Sequence, residues 1–351
     1  MKILKRTSSI VKRRDIISAP LSVTHCGLGS PTRIKFKSGI ECVGACIHCP
    51  NTPCIHYQKQ DYTHKSLSKF PGDTNPDVCP ANAITQPDSS GAPHVNSAAC
   101  ISCGLCVLRC PVSAITLTSK GAVVNDKPNS GFISSEAPVT QSHTDMISRA
   151  FALAPVTGTI IKNGETFLNT IYRRIASPSR GTSTQFPNLL VRNIMRALGI
   201  EWEMRRHGDT NIRMDALFVA SHLGTAEVEF SEGATLDAPR NILDNCAVLV
   251  SRHDANLKCI TPLIVTLSFP NTRSEYWRVI KDVRDIIGIK IQSITVGALL
   301  LLLWEKRKLT LGKADFYADC DSYSIEEGLE IALGRKLLEG KGYRGWINAA
   351  K

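Results

Sequence analysis

The 351-residue sequence lacks an apolar run long enough to cross a membrane. Its longest, Val296 to Trp304, is less than half of the roughly 20 residues a spanning helix needs. The opening lacks the apolar core of a secretory signal and has only weak likeness to a transit peptide, so the expected location is the cytoplasm. Acidic residues are almost missing from the first forty positions, where Lys2, Lys5, Arg6, Lys12, Arg13, Arg14, Arg33, Lys35 and Lys37 face Asp15 alone. That scarcity defines a basic leader over 1–40, read either as a solvated arm or as a nucleic-acid contact. It contributes much of the net charge of +11, which favours a polyanionic partner or surface and says nothing about fold. No GxGxxG lies between a strand and a helix, so nothing points to a nicotinamide or flavin site. Charged residues make up only 21% against 43% hydrophobic ones, which excludes a disordered chain. The length predicts two or three domains.

Cysteine is nearly absent from the second half. Beyond residue 146 only Cys246, Cys259 and Cys320 occur, at spacings that suit no metal site, and they are expected to be buried small hydrophobes. The other ten of the thirteen lie between Cys26 and Cys110. Tight spacing without an export signal predicts metal ligation in a reducing compartment rather than disulfides. Cys100-x2-Cys103-x2-Cys106-x3-Cys110-Pro111 has the spacing of the bacterial ferredoxin run. In such a run three thiolates from one short loop wrap three iron corners of a cubane, and the fourth turns away to a partner cluster. The small residues of CGLC let the backbone pass close to the sulfides. An internal repeat accompanies the series: VCPANAIT at 78–85 is echoed by RCPVSAIT at 109–116.

The other half of the framework is irregular. Cys46-x2-Cys49-x4-Cys54 continues only after a 24-residue insertion, at Cys79-Pro80. With CIHCPNTPC ahead of the CP ligand, about 80 residues resemble the dicluster ferredoxin family, and in particular its oxidoreductase electron-transfer subunits. The resemblance implies that Cys46, Cys49, Cys54 and Cys110 hold one [4Fe-4S] cluster while Cys100, Cys103, Cys106 and Cys79 hold the other. The insertion departs from the family pattern. Cys42 reads either as a substitute loop ligand or as a bystander thiol, and Cys26 is left over. His48, His56 and His64 are read as surface groups or groups lying behind the ligands.

The cysteine-rich domain is assigned to 41–120, a linker rich in Ser, Gly, Pro and Asn to 121–145, and a second domain to 146–351. Periodicity predicts a helix over 187–198, strands over 201–206, 211–220 and 224–230, a helix over 238–252, a strand over 263–269, a helix over 274–287 and a strand over 289–296. The order is αβββαβαβ, so the chain as a whole is α+β. An amphipathic helix and a tail with Tyr343 and Trp346 follow, both read as packing.

Three acids stand out in that block. Asp215 falls in an otherwise apolar stretch (IRMDALFV), and Glu227 and Glu229 alternate with Val228 (GTAEVEF), which places both glutamates on one strand face. Buried carboxylates are costly unless paired or bound to a cation. Two readings stand: a site for a hard cation, Mg2+ or Mn2+, or structural acids salt-bridged near Arg213. Residues 186–300 resemble the PD-(D/E)xK nuclease family, which implies an α/β restriction-endonuclease-like domain. The resemblance makes Asp215, Glu227 and Glu229 catalytic, with Asp215 and Glu227 as metal ligands and Glu229 in the place the family usually gives to Lys. Arg240 and Asn241 are then expected to meet a phosphate near a helix N-terminus.

The expectation carried forward is a protein with two [4Fe-4S] clusters joined to a Mg2+-dependent or Mn2+-dependent DNA endonuclease. DNA and a redox or defence-system protein are the expected partners. The competing expectation is an electron-transfer ferredoxin subunit of an oxidoreductase complex.

Overall fold

In the computed structural model the described residues are 21–24, 33–36, 41–43, 46, 52–57, 62–86, 92–110, 114–118, 121–125, 159–177, 182–312, 315–338 and 343–350. Most of the basic leader, Cys26, His48, Cys49 and most of the 121–145 linker lie outside them. The chain divides into two compact units, one of 1–59, 76–167 and 178–182, the other of 60–75, 168–177 and 183–351. The second unit thus takes residues 60–75 out of the middle of the cysteine framework.

The first unit opens with three antiparallel strands, β1 (Leu21–Thr24), β2 (Arg33–Phe36) and β3 (Glu41–Val43). Residues 60–75 then contribute α1 (Lys65–Lys69) to the second unit, capped by His64 Nδ1, which accepts from Ser66 N at 3.2 Å. Back in the first unit, β4 (Ile84–Thr85) pairs with β5 (His94–Val95), α2 spans Leu105–Arg109, and β6 (Ile115–Thr118) pairs with β7 (Gly121–Val124). The internal repeat explains this layout. Each Cys-Pro is followed in sequence by an Ala-Ile-Thr that enters a strand, β4 in one copy and β6 in the other.

The second unit takes the end of α3 (Thr159–Ala176), whose Leu168, Ile171 and Ile175 are buried at helical spacing. α4 (Phe186–Ala197) carries proline in its first turn, and Gly199 at φ 88° lets the chain leave the helix end. A five-stranded sheet follows, built from β8 (Glu201–Met204), β9 (Ala216–Val219), β10 (Leu223–Glu229), β11 (Thr261–Thr266) and β12 (Gln292–Thr295) in the order β12-β11-β10-β9-β8. β8, β9 and β10 form an antiparallel meander, whereas β10, β11 and β12 run parallel. The parallel steps need crossovers, supplied by α5 (Glu232–His253) and α6 (Glu275–Asp282), the latter running into a π-helical turn at Val283–Ile287. Mixed helix and strand is the outcome, in the order that the hydrophobic periodicity predicts.

Two element starts differ most from the periodicity. α5 starts at Glu232 rather than 238, because Ser231 is its N-cap, with Oγ accepting from Ala234 N at 3.3 Å. Pro239 is therefore inside the helix, and Arg240 lies well past the first turn, paired to Asp237 at 3.7 Å. That removes Arg240 and Asn241 from a helix N-terminus. The predicted strand over 211–220 begins only at Ala216, because Val228 N–H is taken by the Asp215 side chain in place of a strand carbonyl.

The run from Val296 to Trp304 is α7, buried on every side and capped by the Thr295 hydroxyl, which accepts from Ala298 N at 3.2 Å. No helix among the described residues is long and apolar enough to cross a membrane. α8 (Glu326–Leu333) follows, and the tail returns to bury Tyr343 and Trp346, the latter edge-on to Tyr172 at 5.2 Å. Cys246 is buried as expected, but Cys259 is exposed and Cys320 half-buried.

Candidate metal centres

The first unit gathers its thiols into two groups. Cys79, Cys100, Cys103 and Cys106 line one pocket, closed by apolar neighbours that include Ile84, Ile101, Leu105 and Leu117. Cys54 is surrounded differently: its thiol is pushed up to about 12 by burial first and then by Cys110 and Cys46. The dicluster resemblance expects Cys79 with Cys100, Cys103 and Cys106, and Cys54 with Cys46, Cys49 and Cys110; Cys49 lies outside the described residues. Cys42 pairs with Ile34 through its β3 backbone. Of the histidines, His64 caps α1 and His56 faces Asp77 at 3.4 Å.

Local backbone geometry builds the pocket. Ser102 at φ 61° and Gly104 at φ 85° take left-handed conformations, winding the loop so that Cys100, Cys103 and Cys106 all face inward. Backbone N–H groups point at the sulfurs: Ala83 to Cys79 at 3.2 Å, Ala114 to Cys110 at 3.1 Å and Ala122 to Cys100 at 3.4 Å. The first two occupy equivalent positions in the two copies of the repeat, so the repeat supplies an equivalent N–H to each Cys-Pro thiol. Such bonds stabilise thiolate charge and tune a bound cluster.

Burial raises Cys79, Cys103 and Cys106, and their like-charged neighbours add to the shift. Four thiolates in an apolar pocket need a multivalent cation to neutralise them. A zinc ion would draw them to about 3.8 Å apart. Among the described residues no three cysteines have sulfurs all within 4.8 Å of one another, which is wider than a zinc site draws its thiolates. The four thiols of this pocket therefore fit a [4Fe-4S] cluster.

Gly121 is a further part of this site that spacing alone does not reveal. It sits at φ 130°, and a Cβ there would lie 3.1 Å from Cys100 Cβ and 3.2 Å from its Sγ. Gly121→Ala is expected to displace Cys100, to cost about 1–3 kcal/mol in backbone strain, and to lower iron content, measured by iron assay and thermal melting.

The second unit brings together Asp215, Glu227 and Glu229, with one carboxylate oxygen of each within 4.8 Å of the others. Among the described residues this is the one His, Cys, Asp or Glu group so close. Asp215 lies just before β9. Its Oδ2 accepts from Val228 N at 3.1 Å, doing the work a backbone carbonyl would do in a continued strand. Its Oδ1 receives Arg205 Nη2 at 3.0 Å. The cation at Asp215 is thus Arg205, whereas Arg213 pairs with Asp244 at 3.7 Å. Asn245 on α5 donates to Glu227.

Burial followed by repulsion from Asp215 raises Glu227 to about 8 and Glu229 to about 7. Asp215 is raised by burial too, against the lowering pull of the Val228 N–H and Arg205. Thr266, opposite Glu229 in the β10–β11 register, is fully buried with its hydroxyl unpartnered. An all-oxygen set of this kind suits a hard divalent ion. Sequence reasoning did not reach Arg205, Asn245 or Thr266, since each meets the acids only through sheet pairing or helix packing.

Comparison with known proteins identifies part of the first unit. Residues 93–116 match the 4Fe-4S binding domain family, so the chain carries a ferredoxin-type iron-sulfur domain. It is 32% identical over 109 residues to the polyferredoxin-like subunit of an aliphatic sulfonate oxidoreductase of Pyrococcus furiosus, covering 29% of this chain and 51% of that protein. Two uncharacterised ferredoxins of Methanocaldococcus jannaschii are 30% and 33% identical over 91 and 87 residues, covering 26% and 25% of this chain and 44% and 39% of theirs. The chain spans about half the length, or less, of these relatives. No solved structure matches.

Proposed function

We propose that the protein is an electron carrier with two [4Fe-4S] clusters that serves as the ferredoxin-like component of an oxidoreductase assembly. The observation that carries this reading is the sorting of the described ligand candidates into Cys46, Cys54 and Cys110 on one side and Cys79, Cys100, Cys103 and Cys106 on the other. The dicluster resemblance adds Cys49 to the first set. Similarity to a polyferredoxin-like subunit supports it and suggests a redox protein as partner. When bound, the clusters supply one-electron reduction and oxidation. The chain holds them by its thiolates, excludes water with Ile84, Ile101 and Leu117, and directs N–H groups at the sulfurs. Arg109, whose Nε donates to Pro53 at 2.7 Å, places a positive charge near Cys54 that favours the more negative reduced state. Anaerobic protein should lose its broad absorption near about 400 nm on addition of dithionite and pass the electrons to an oxidised viologen. Absorption that dithionite leaves unchanged would refute the reading.

A second activity is favoured by one observation, the convergence of Asp215, Glu227 and Glu229. On this reading the second unit is a restriction-endonuclease-like domain that uses Mg2+ or Mn2+ to hydrolyse phosphodiester bonds in DNA. The cation would activate water and stabilise the charge that develops on the phosphate. Anaerobic incubation with plasmid and oligonucleotides, with and without Mg2+, tests it. Cleavage only with the metal is expected, and intact DNA and RNA under all conditions would remove this activity and leave electron transfer standing.

A further inference from the structure

We propose that the loop strung between Cys54 and Cys79 couples the iron-sulfur clusters to the acidic trio by fixing the positions of Arg205 and Asp215. The inference rests on both readings above and adds a regulatory link between them.

The loop has a neck and a body. At the neck Val78 N–H donates to Ile55 C=O at 2.7 Å and Tyr57 N–H to Pro76 C=O at 2.6 Å, while His56 faces Asp77. The chain leaving one candidate ligand, Cys54, is thereby tied to the chain arriving at another, Cys79. The body, residues 60–75, belongs to the second unit. There Thr63 donates to Glu201 from N at 3.0 Å and from Oγ1 at 2.6 Å, and the Tyr62 hydroxyl donates to Glu203. Leu67 and Phe70 share a core with Met214, Leu217 and Leu249.

The last part of the body reaches the trio's own supports. Asp73 N–H donates to Met204 C=O at 2.9 Å, and Gly72 forms an antiparallel bridge with Arg205. A side chain at Gly72 would meet the Glu203 carboxylate, which Tyr62 and Arg196 hold in place. Arg205 in turn donates from its backbone N to Asp215 C=O at 2.8 Å and from its guanidinium to Asp215 Oδ1. Asp215 stands outside a regular strand, so it is held by such contacts rather than by a ladder of its own. The loop braces it twice, through Gly72 beside Arg205 and through Leu67 and Phe70 beneath Met214.

Clusters anchored by Cys54 and Cys79 immobilise both ends of the neck. Their loss returns conformational entropy to the loop, and the coupling appears as local loosening around Asp215. The test is amide hydrogen exchange on the full chain, after iron assay, in the cluster-loaded and cluster-depleted states. At least tenfold faster exchange is expected at Asp73, Arg205 and Val228 after depletion, with Ile294 and Leu299 to Leu303 still protected. Leu67→Ala with Phe70→Ala should give the same local change with iron retained, and should weaken Mn2+ binding to the loaded protein about tenfold. Unchanged exchange at those three amides would overturn the coupling, and so would a uniform loss of protection that includes β12 and α7. Faster exchange in protein that binds no Mn2+ in any state would support the coupling and refute the cation reading. A chain that carries no iron when prepared anaerobically would overturn the coupling together with the electron-transfer reading.

Discussion

Replacing Cys103 with serine is expected to halve the iron content, from about eight to about four atoms per chain, because each cubane carries four irons and only one of the two loses a ligand. Cys103 is the right position for this test. It is buried, it lines the pocket with Cys79, Cys100 and Cys106, and its thiol is raised chiefly by burial and by Cys79. Serine keeps the volume and removes the soft donor. Cys42→Ser is expected to leave the iron unchanged. Iron assay and absorption of anaerobic protein give the answer, and a full complement of iron in the Cys103 variant would mean that the pocket is not a ligand set.

At the acidic trio the largest expected effect is a pH-dependent affinity for Mn2+. Glu227 at about 8 and Glu229 at about 7 stand above the usual 4.5, so without a cation the folded chain keeps protons that the unfolded chain releases. Stability from this source is fully present below about 4.5 and is lost as pH rises through about 7 and 8. A cation changes the balance by taking the place of those protons. Mn2+ affinity should therefore climb by roughly two orders of magnitude between about pH 6 and pH 8, with release of protons on binding. Asp215→Ala and Glu227→Ala should each abolish binding and any metal-dependent cleavage while leaving the iron in place. Titration calorimetry in buffers of different ionisation enthalpy measures both affinity and proton release. A flat pH profile, or tight binding by Asp215→Ala, would assign the acids to structure alone.

Much of this was legible in the sequence because the relevant signals are local. The spacing from Cys100 to Cys110 is set by the loop that wraps a cubane, and the repeat ending in AIT marks the turn into β4 and β6. Alternation in GTAEVEF put both glutamates on one face of β10, and periods of 3.6 and 2 gave the element order of the sheet. Other features were hidden because they depend on long-range pairing. Arg205 meets Asp215 through the β8–β9 meander, where proximity in sequence pointed instead to Arg213. α5 began early because the Ser231 cap precedes a stretch whose buried positions start only at Thr235, and the proline signal at Pro239 drew the boundary inward. The insertion read as a departure from the ferredoxin pattern. Leu67 and Phe70 pack with Met214, Leu217 and Leu249, residues more than a hundred positions away, and no local pattern carries that information.

The central claim, that one chain carries two redox-active [4Fe-4S] clusters, is tested most directly by electron paramagnetic resonance of anaerobic protein during stepwise reduction. Two one-electron centres are expected, with about two spins per chain at full reduction and a broadened signal from clusters that share the ligand-exchanging Cys79 and Cys110 framework. A spectrum that integrates to one spin or none, in protein with its full iron content, would contradict the account.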